Sequence, residues 1–404
     1  MKICIVDMPL YLVRTGPFSP ISVTADYQAR ALVELGHDVT VICASTSDIR
    51  IERFAQQSYG VEQVRIFPPV GTVSKVLMES VYALGATLIA LRLKKAGTSM
   101  ILYHHHPSAL MVILLTPFFS TMKESIVVQH AGFNELYSRT IISISNAVKR
   151  LALPRVRLIL AQSECVKAKI IRYFGVTKGR IEVLNISAGL DTDLFSPREP
   201  DRSILAERKQ KDHDRIVLCI GSFCPRKNQM TLLKAFAKLL EDVPNARLLL
   251  DGNILEESYY ERLLQFVDDK GLSDRVLFMR FLEHYSDLAN LYNLADVCVL
   301  VSFEEGGLPR VIMEAMSCGR PCVVSDIPFI TEYINDGDAF IVNPRSIEEI
   351  TRAVKTALLD RGYAMSLAHS ARQKMQQYKW RDLAEESIRL FNKQRGVREK
   401  VSTS

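Results

Sequence analysis

Two short segments of this 404-residue chain combine cations, carboxylates and glycines in an order that suits an anionic, hydroxyl-bearing ligand. The first is Gly221-Ser222-Phe223-Cys224-Pro225-Arg226-Lys227-Asn228, between a strand-like run and a helical stretch. Adjacent Arg226 and Lys227 can neutralise a diphosphate: lysine supplies a point charge and arginine a planar fork, and both suit a leaving group that gains negative charge. The second begins at Ser302-Phe303-Glu304-Glu305 and continues through Gly306-Gly307-Leu308-Pro309-Arg310-Val311-Ile312-Met313-Glu314. Here a strand feeds a glycine turn and then a helix. Gly306 and Gly307 let backbone amides approach a ligand, and the helix start after Leu308 offers N–H groups and a positive dipole end to phosphate oxygens. Glu314, about one turn in, can accept hydrogen bonds from two vicinal hydroxyls, and Glu305 can orient sugar hydroxyls. Either segment alone reads as exposed loop cations or a solvated helix glutamate.

These residues need elements to hold them. Short β-branched runs alternate with amphipathic stretches along the chain, which predicts parallel sheets with helical crossovers. The expected strands of the first half are Lys2–Asp7, Asp38–Cys43, Gln63–Phe67, Met100–Tyr103, Ser125–Gln129, Leu158–Ala161 and Ile181–Leu184. Helical spacing falls in Ser22–Leu35, Val73–Lys95, Ser138–Leu151 and Cys165–Tyr173. The polar stretch Ser196–Asp214 reads as a connection, after which the pattern restarts at Arg215–Ile220. The expected organisation is an α/β chain: an amino-terminal domain over 1–198, a linker over 199–213, a second doubly wound domain over 214–379, and a helix and tail over 380–404. Two such sheets facing each other form a central cleft fed by the loops at their strand carboxyl ends.

Composition sets limits on partners. Hydrophobic residues at 48% and charged residues at 24% are ordinary for a globular protein. The longest apolar run, Ala109–Phe119, is shorter than the roughly 20 residues of a membrane span. The net charge of +6 is uneven: residues 1–198 hold 22 Lys/Arg against 14 Asp/Glu, and 199–404 hold 29 against 31. A basic half favours an anionic partner, such as a phospholipid surface or a phosphate-bearing acceptor, with a solvated basic face as the alternative. The cluster Lys149, Arg150, Arg155 and Arg157 and the trio Arg92, Lys94 and Lys95 are the expected contacts. Nucleic acid is disfavoured, because no basic stretch is interleaved with stacking aromatics. His104, His105 and His106 are consecutive at a strand end and cannot all point at one ion, so no metal site is expected. Five of the eight cysteines lie in strand-like runs and read as buried thiols, and a strand begins at once at Met1-Lys2-Ile3, so a cytosolic location is expected.

With these segments in this order, the chain resembles the retaining glycosyltransferase family 4, the group 1 glycosyl transferases with the GT-B fold. The resemblance runs nearly end to end. It includes Met1-Lys2-Ile3-Cys4-Ile5-Val6, Gly36-His37-Asp38-Val39, Ile101-Leu102-Tyr103-His104, Val127-Val128-Gln129-His130, Gly189-Leu190-Asp191 and Leu291-Tyr292-Asn293-Leu294-Ala295-Asp296-Val297. It implies that Lys227 contacts the donor diphosphate, that Glu314 takes the nucleotide ribose, and that the backbone of Gly306, Gly307, Leu308, Pro309 and Val311 holds sugar and phosphate. It implies further that Gly16 lies in a loop closing over the diphosphate and that His130 stands near the reacting sugar. Ser222 replaces the arginine usual in the family, with Arg226 as a stand-in, and eight residues rather than seven separate Glu305 from Glu314.

The activity so implied is transfer of a sugar from a nucleotide-diphosphate donor to a hydroxyl of a sugar or lipid-linked acceptor, in glycan, polysaccharide or glycolipid synthesis. It implies no bound metal and no cofactor beyond the nucleotide sugar. Two other readings stand beside it: a non-catalytic relative that binds nucleotide sugar or membrane, and a nucleotide-sugar epimerase or phosphorylase on the same fold. Donor turnover separates the first, and the Gly-Leu-Pro-Arg helix start favours the transferase over the second.

Overall fold

The computed structural model describes residues 1–7, 23–45, 58–65, 72–104, 126–130, 146–147, 149–185, 188–201, 214–280, 285–305 and 307–396. Its contacts divide the chain into two compact units, one of Met1–Gly189 plus the segment from Trp380 onward, the other Leu190–Lys379. The division thus falls at Gly189, ahead of the 199–213 stretch expected as a linker, of which 202–213 lie outside the described residues.

The first unit holds strands β1 (Lys2–Val6), β2 (Asp38–Ser45), β3 (Gly60–Arg65), β4 (Met100–His104), β5 (Ile126–His130), β6 (Leu158–Ala161) and β7 (Ile181–Val183). They form one sheet in the order β3-β2-β1-β4-β5-β6-β7, parallel throughout. The near-continuous apolar runs of β1 and β6 follow from burial on both faces. Helices α1 (Val23–Glu34), α2 (Thr72–Lys95) and α3 (Glu164–Phe174) match three of the helical stretches read from the sequence. The fourth, Ser138–Leu151, falls mostly outside the described residues, as does the run Ala109–Phe119. In α1, Ala25, Ala29 and Leu32 recur at helical spacing and are buried against the sheet.

One expectation is corrected here. Lys149 does not face outward as part of a basic docking cluster: it is 4% exposed, its ammonium sits 5.9 Å from the Phe174 ring centroid, and burial lowers its pKa to about 8. Arg157 donates to the Gln394 carbonyl and Arg150 to that of Tyr173. Lys149 and, in part, Arg157 are thus drawn into the unit's own packing, while Arg150 stays exposed.

The second unit holds β8 (Arg215–Ile220), β9 (Ala246–Gly252), β10 (Val276–Arg280), β11 (Val297–Leu300), β12 (Cys322–Ser325) and β13 (Phe340–Val342). Its sheet order is β10-β9-β8-β11-β12-β13, also parallel. Around it lie α4 (Gln229–Asp242), α5 (Glu257–Asp269), α6 (Tyr285–Leu294), α7 (Arg310–Ser317), the short α8 (Pro328–Thr331), α9 (Ile347–Leu359) and α10 (Arg361–Met375). Ser346 and Asp360 cap α9 and α10 by accepting from the amides of Glu349 and Tyr363. Strand order reverses between β8 and β11, the point where open parallel sheets bind ligands at their carboxyl ends. Both segments singled out from the sequence leave the sheet at this reversal.

The last helix, α11 (Trp380–Gln394), returns to the first unit. Trp380, Leu383, Leu390 and Phe391 join the core of Ile3, Ile5, Ala29 and Leu32, and the Trp380 ring stacks on Tyr27 at 5.6 Å and 8°. Gly189 makes room for it, since a Cβ there would lie 2.3 Å from the indole.

At the end of β9, Asp251 is 2% exposed and its Oδ1 has no hydrogen-bond partner. Burial raises its pKa from 3.8 to about 6, with the Gly252 amide pulling the other way. Gly252 is required beside it, because its backbone passes so close to Gly221 that a Cβ would stand 2.3 Å from that carbonyl oxygen. A carboxyl whose folded pKa is raised binds its proton more tightly in the native state, so the protein loses stability as pH rises from about 4 to about 6 and no further above that. The loss is at most about 3 kcal/mol. Asp251→Asn should flatten this part of the stability curve, measured by urea unfolding between pH 4 and 8. An unchanged slope would show that Asp251 titrates normally.

Candidate functional site

The loop after β8 is built on an asparagine in the left-handed region. Pro225–Lys227 form one tight helical turn, and Asn228 follows at φ 57°, a conformation that asparagine tolerates better than most residues. Its buried Nδ2 donates to the carbonyls of Val301 at 2.8 Å and Pro344 at 2.7 Å, while Oδ1 accepts from the Thr231 hydroxyl at 2.6 Å. The loop is thereby tied to the chain just beyond β11 and β13. The Phe303 amide adds a bond to the Arg226 carbonyl at 2.9 Å.

Held this way, the two cations converge on one carboxylate. Lys227 Nζ lies 2.5 Å from Glu305 Oε1, and Arg226 Nη1 lies 3.3 Å from Oε2 while donating to the Glu304 carbonyl at 2.9 Å. The Glu305 side chain is 9% exposed, that of Lys227 12% and that of Arg226 29%, so water screens the group only weakly. Arg226 therefore does stand beside Lys227, although Ser222 occupies the position where the resemblance puts an arginine.

A second carboxylate sits behind the first turn of α7. Glu314 is 2% exposed, accepts from the Tyr292 hydroxyl at 2.9 Å, and has Arg310 Nε 3.6 Å from its other oxygen. Burial raises its pKa, opposed by Arg310 and by the Tyr292 hydrogen bond. Pro309 starts the helix without a side-chain cap, and the amides of Ile312 and Met313 bond back to its carbonyl. A phosphate oxygen can take the place of the missing cap. Leu308 and Pro309 are buried, and Gly307 and Val311 partly so.

Of the residues expected to act, Arg226, Lys227 and Glu305 are brought together, and Leu308, Pro309, Val311 and Glu314 follow on the same segment. Gly16 and Gly306 lie outside the described residues. His130 closes β5 in the first unit. Among the described residues no group of three His, Cys, Asp or Glu is placed to hold a metal ion. Tyr292 and Asn228 carry roles that motif reading missed. The i,i+4 spacing of Arg310 and Glu314 is a signal that could have revealed their pairing, whereas nothing local links Tyr292 to Glu314 across 22 positions.

Comparison with known proteins gives this geometry its context. A model described as Glycosyltransferase Family 4 matches residues 21–228, and one described as Glycosyl transferases group 1 matches residues 201–378. The serotype-specific mannosyltransferase WbdA of Escherichia coli is 29% identical over 242 residues, covering 59% of this chain and 29% of that protein. A GDP-mannose-dependent alpha-(1-6)-phosphatidylinositol monomannoside mannosyltransferase of Mycolicibacterium smegmatis is 27% identical over 223 residues, covering 53% of this chain and 57% of the other. The chain thus spans less than two thirds of the length of these curated relatives. Among solved structures, a glycosyltransferase of Rickettsia africae superposes with a TM-score of 0.76 at 16% identity, covering 97% of this chain and 98% of that one. HepE of Anabaena, in complex with UDP and glucose, gives 0.76 at 20% identity, with 97% and 100% covered. The fold class is GT-B, and the chain belongs to Glycosyltransferase Family 4, with the group 1 module in its second half.

Proposed function

We propose that the protein transfers a sugar from a nucleotide-diphosphate donor to a hydroxyl acceptor with retention of configuration. The observation that carries this reading is the convergence of Lys227 and Arg226, at the strand-order reversal, on a carboxylate that occupies the position of an anion. The mannosyltransferase relatives, and HepE with its UDP and glucose, support a nucleotide-sugar donor. In the proposed reaction the acceptor oxygen bonds to the anomeric carbon on the face from which the phosphate departs. The acceptor proton passes to the departing phosphate oxygen, and Lys227, Arg226 and the start of α7 stabilise the charge left there. Glu314 takes the ribose hydroxyls in exchange for one of its present partners. By the family resemblance, this proposal also assigns His130 to the reacting centre and Gly16 and Gly306 to the donor loops. An anionic membrane surface and a lipid-linked acceptor fit the basic first half.

Thermal shift against a panel of nucleotide sugars tests the donor, because a ligand that binds only the folded state raises the melting temperature. No shift with any of them would refute the reading.

Lys227→Ala is expected to weaken binding of the matching nucleoside diphosphate at least about tenfold, as read by calorimetry. Glu305→Gln should do the opposite to binding, since it frees two cations from a competing charge, while slowing transfer. Weaker diphosphate binding in Glu305→Gln would overturn the role of Glu305 as internal anion.

Tyr292→Phe leaves one oxygen of buried Glu314 without its donor and should lower stability by about 1–3 kcal/mol. Its unfolding midpoint in urea, compared with wild type, checks this. Transfer is expected to proceed in excess chelator; activity restored only by added manganese would contradict the cationic role of Lys227 and Arg226.

A further inference from the structure

At the other end of the second sheet from Lys227 and Glu305, three arginines and one aspartate line a small cavity. Arg215 opens β8, Asp296 immediately precedes β11, Arg320 lies just before β12, and Arg361 opens α10. The six residues of β8 put roughly 20 Å of strand between this end and the loop that carries Lys227. The cavity is therefore separate from the donor loops.

Asp296 does not need all three cations. Its Oδ2 accepts from the Ile216 amide at 2.9 Å and its Oδ1 from Arg215 Nη1 at 3.2 Å. Arg361 Nη1 stands 3.8 Å from that same Oδ1, too far for a hydrogen bond. Arg320 is held by backbone instead: its Nε donates to the Cys318 carbonyl at 3.1 Å, and its Nη1 lies 3.5 Å from the Asn293 carbonyl. The nearby carboxylate of Asp360 caps α10 by accepting from the Tyr363 amide at 3.0 Å. Three positive charges thus face one negative charge. Residues 202–213, which run into β8 outside the described residues, hold four Lys/Arg against two Asp/Glu, so the adjoining sequence adds to the positive excess. Arg215 and Arg361 approach one oxygen and repel each other, and an oxyanion between the guanidinium groups would offset that repulsion.

The wall beside the arginines is apolar. Pro321, Leu358, Ala364 and Met365 line it, and Met365 is 41% exposed while Leu358 and Ala364 are buried. Guanidinium groups fork around phosphate or carboxylate oxygens, and an apolar wall next to them suits an organic group carried by the anion. An excess of two positive charges matches a phosphate monoester, which carries nearly two negative charges at neutral pH, better than a single carboxylate.

We infer that this cavity binds a phosphate monoester, with the phosphate among Arg215, Arg320 and Arg361 and the organic group against Leu358 and Met365. The inference does not depend on the transferase reading.

The full-length protein is titrated by calorimetry with phenyl phosphate and, separately, with inorganic phosphate. Wild type should bind phenyl phosphate at this cavity and also at the donor loops, and Lys227→Ala should lose only the second of these. Arg361→Glu, at a side chain 67% exposed, should weaken the cavity's binding at least about tenfold. Its melting temperature without ligand should stay that of wild type, and so should its binding of a nucleoside diphosphate at the donor loops. Arg361→Lys keeps the charge and loses the planar fork, and its affinity should fall between the two. Equal binding of phenyl phosphate by wild type and Arg361→Glu overturns the inference. So do absence of binding in wild type and a single site that disappears in Lys227→Ala. Inorganic phosphate bound as tightly as phenyl phosphate overturns the assignment of an ester. Because separate variants report the two sites, failure of the cavity is distinct from failure of the transferase reading.

Discussion

The left-handed turn at Asn228 is the constraint on which the second unit's site depends. A single buried amide group bonds to chain beyond β11, chain beyond β13 and the first turn of α4. Three loops that are far apart in sequence are thereby held at one end of the sheet. Without that anchor, nothing in a two-residue run of Arg and Lys would decide which carboxylate they meet. An ordinary residue at φ 57° carries a strain of the order of 1 kcal/mol, and replacing the amide also leaves two carbonyls unpaired.

Charge balance follows from that anchoring. Glu305 between Lys227 and Arg226 leaves the group with one net positive charge, and Glu314 with Arg310 adds none. Both carboxylates are buried, and burying a charge is costly unless a partner meets it. The cations hold the protein's own carboxylates in place, and in the proposed reaction they then receive an incoming anion. Asp251, a few residues along a neighbouring strand end, lacks such a partner, and its proton affinity rises accordingly.

Much of the fold was legible because burial on both faces writes parallel strands as unbroken apolar runs, and every strand read from the sequence has its counterpart in the two sheets. That the β8 and β11 loops both leave the carboxyl ends of their strands was legible too, whereas the adjacency of the two strands comes from the sheet order. What stayed hidden was contact between distant positions. The partnership of Tyr292 with Glu314 depends on how α6 and α7 pack, and the return of Trp380 to Tyr27 depends on a core whose members outside α11 all lie within the first 184 residues. Lys149 was misread for a related reason: a charge in sequence says nothing about whether its stem is covered.

The homecoming of α11 has a consequence for the order in which the chain acquires structure. The second unit is continuous in sequence and can close on itself once its last strand and helices exist. The first unit cannot, because its core lacks Trp380, Leu383, Leu390 and Phe391 until the chain has been made as far as α11. At synthesis rates of about 5–20 residues per second, the amino-terminal sheet waits roughly ten seconds or more, its α1 face uncovered, while the later unit is assembled. Vectorial synthesis therefore meets this protein in reverse: the part made first is finished last, and that interval is when a chaperone has most to cover.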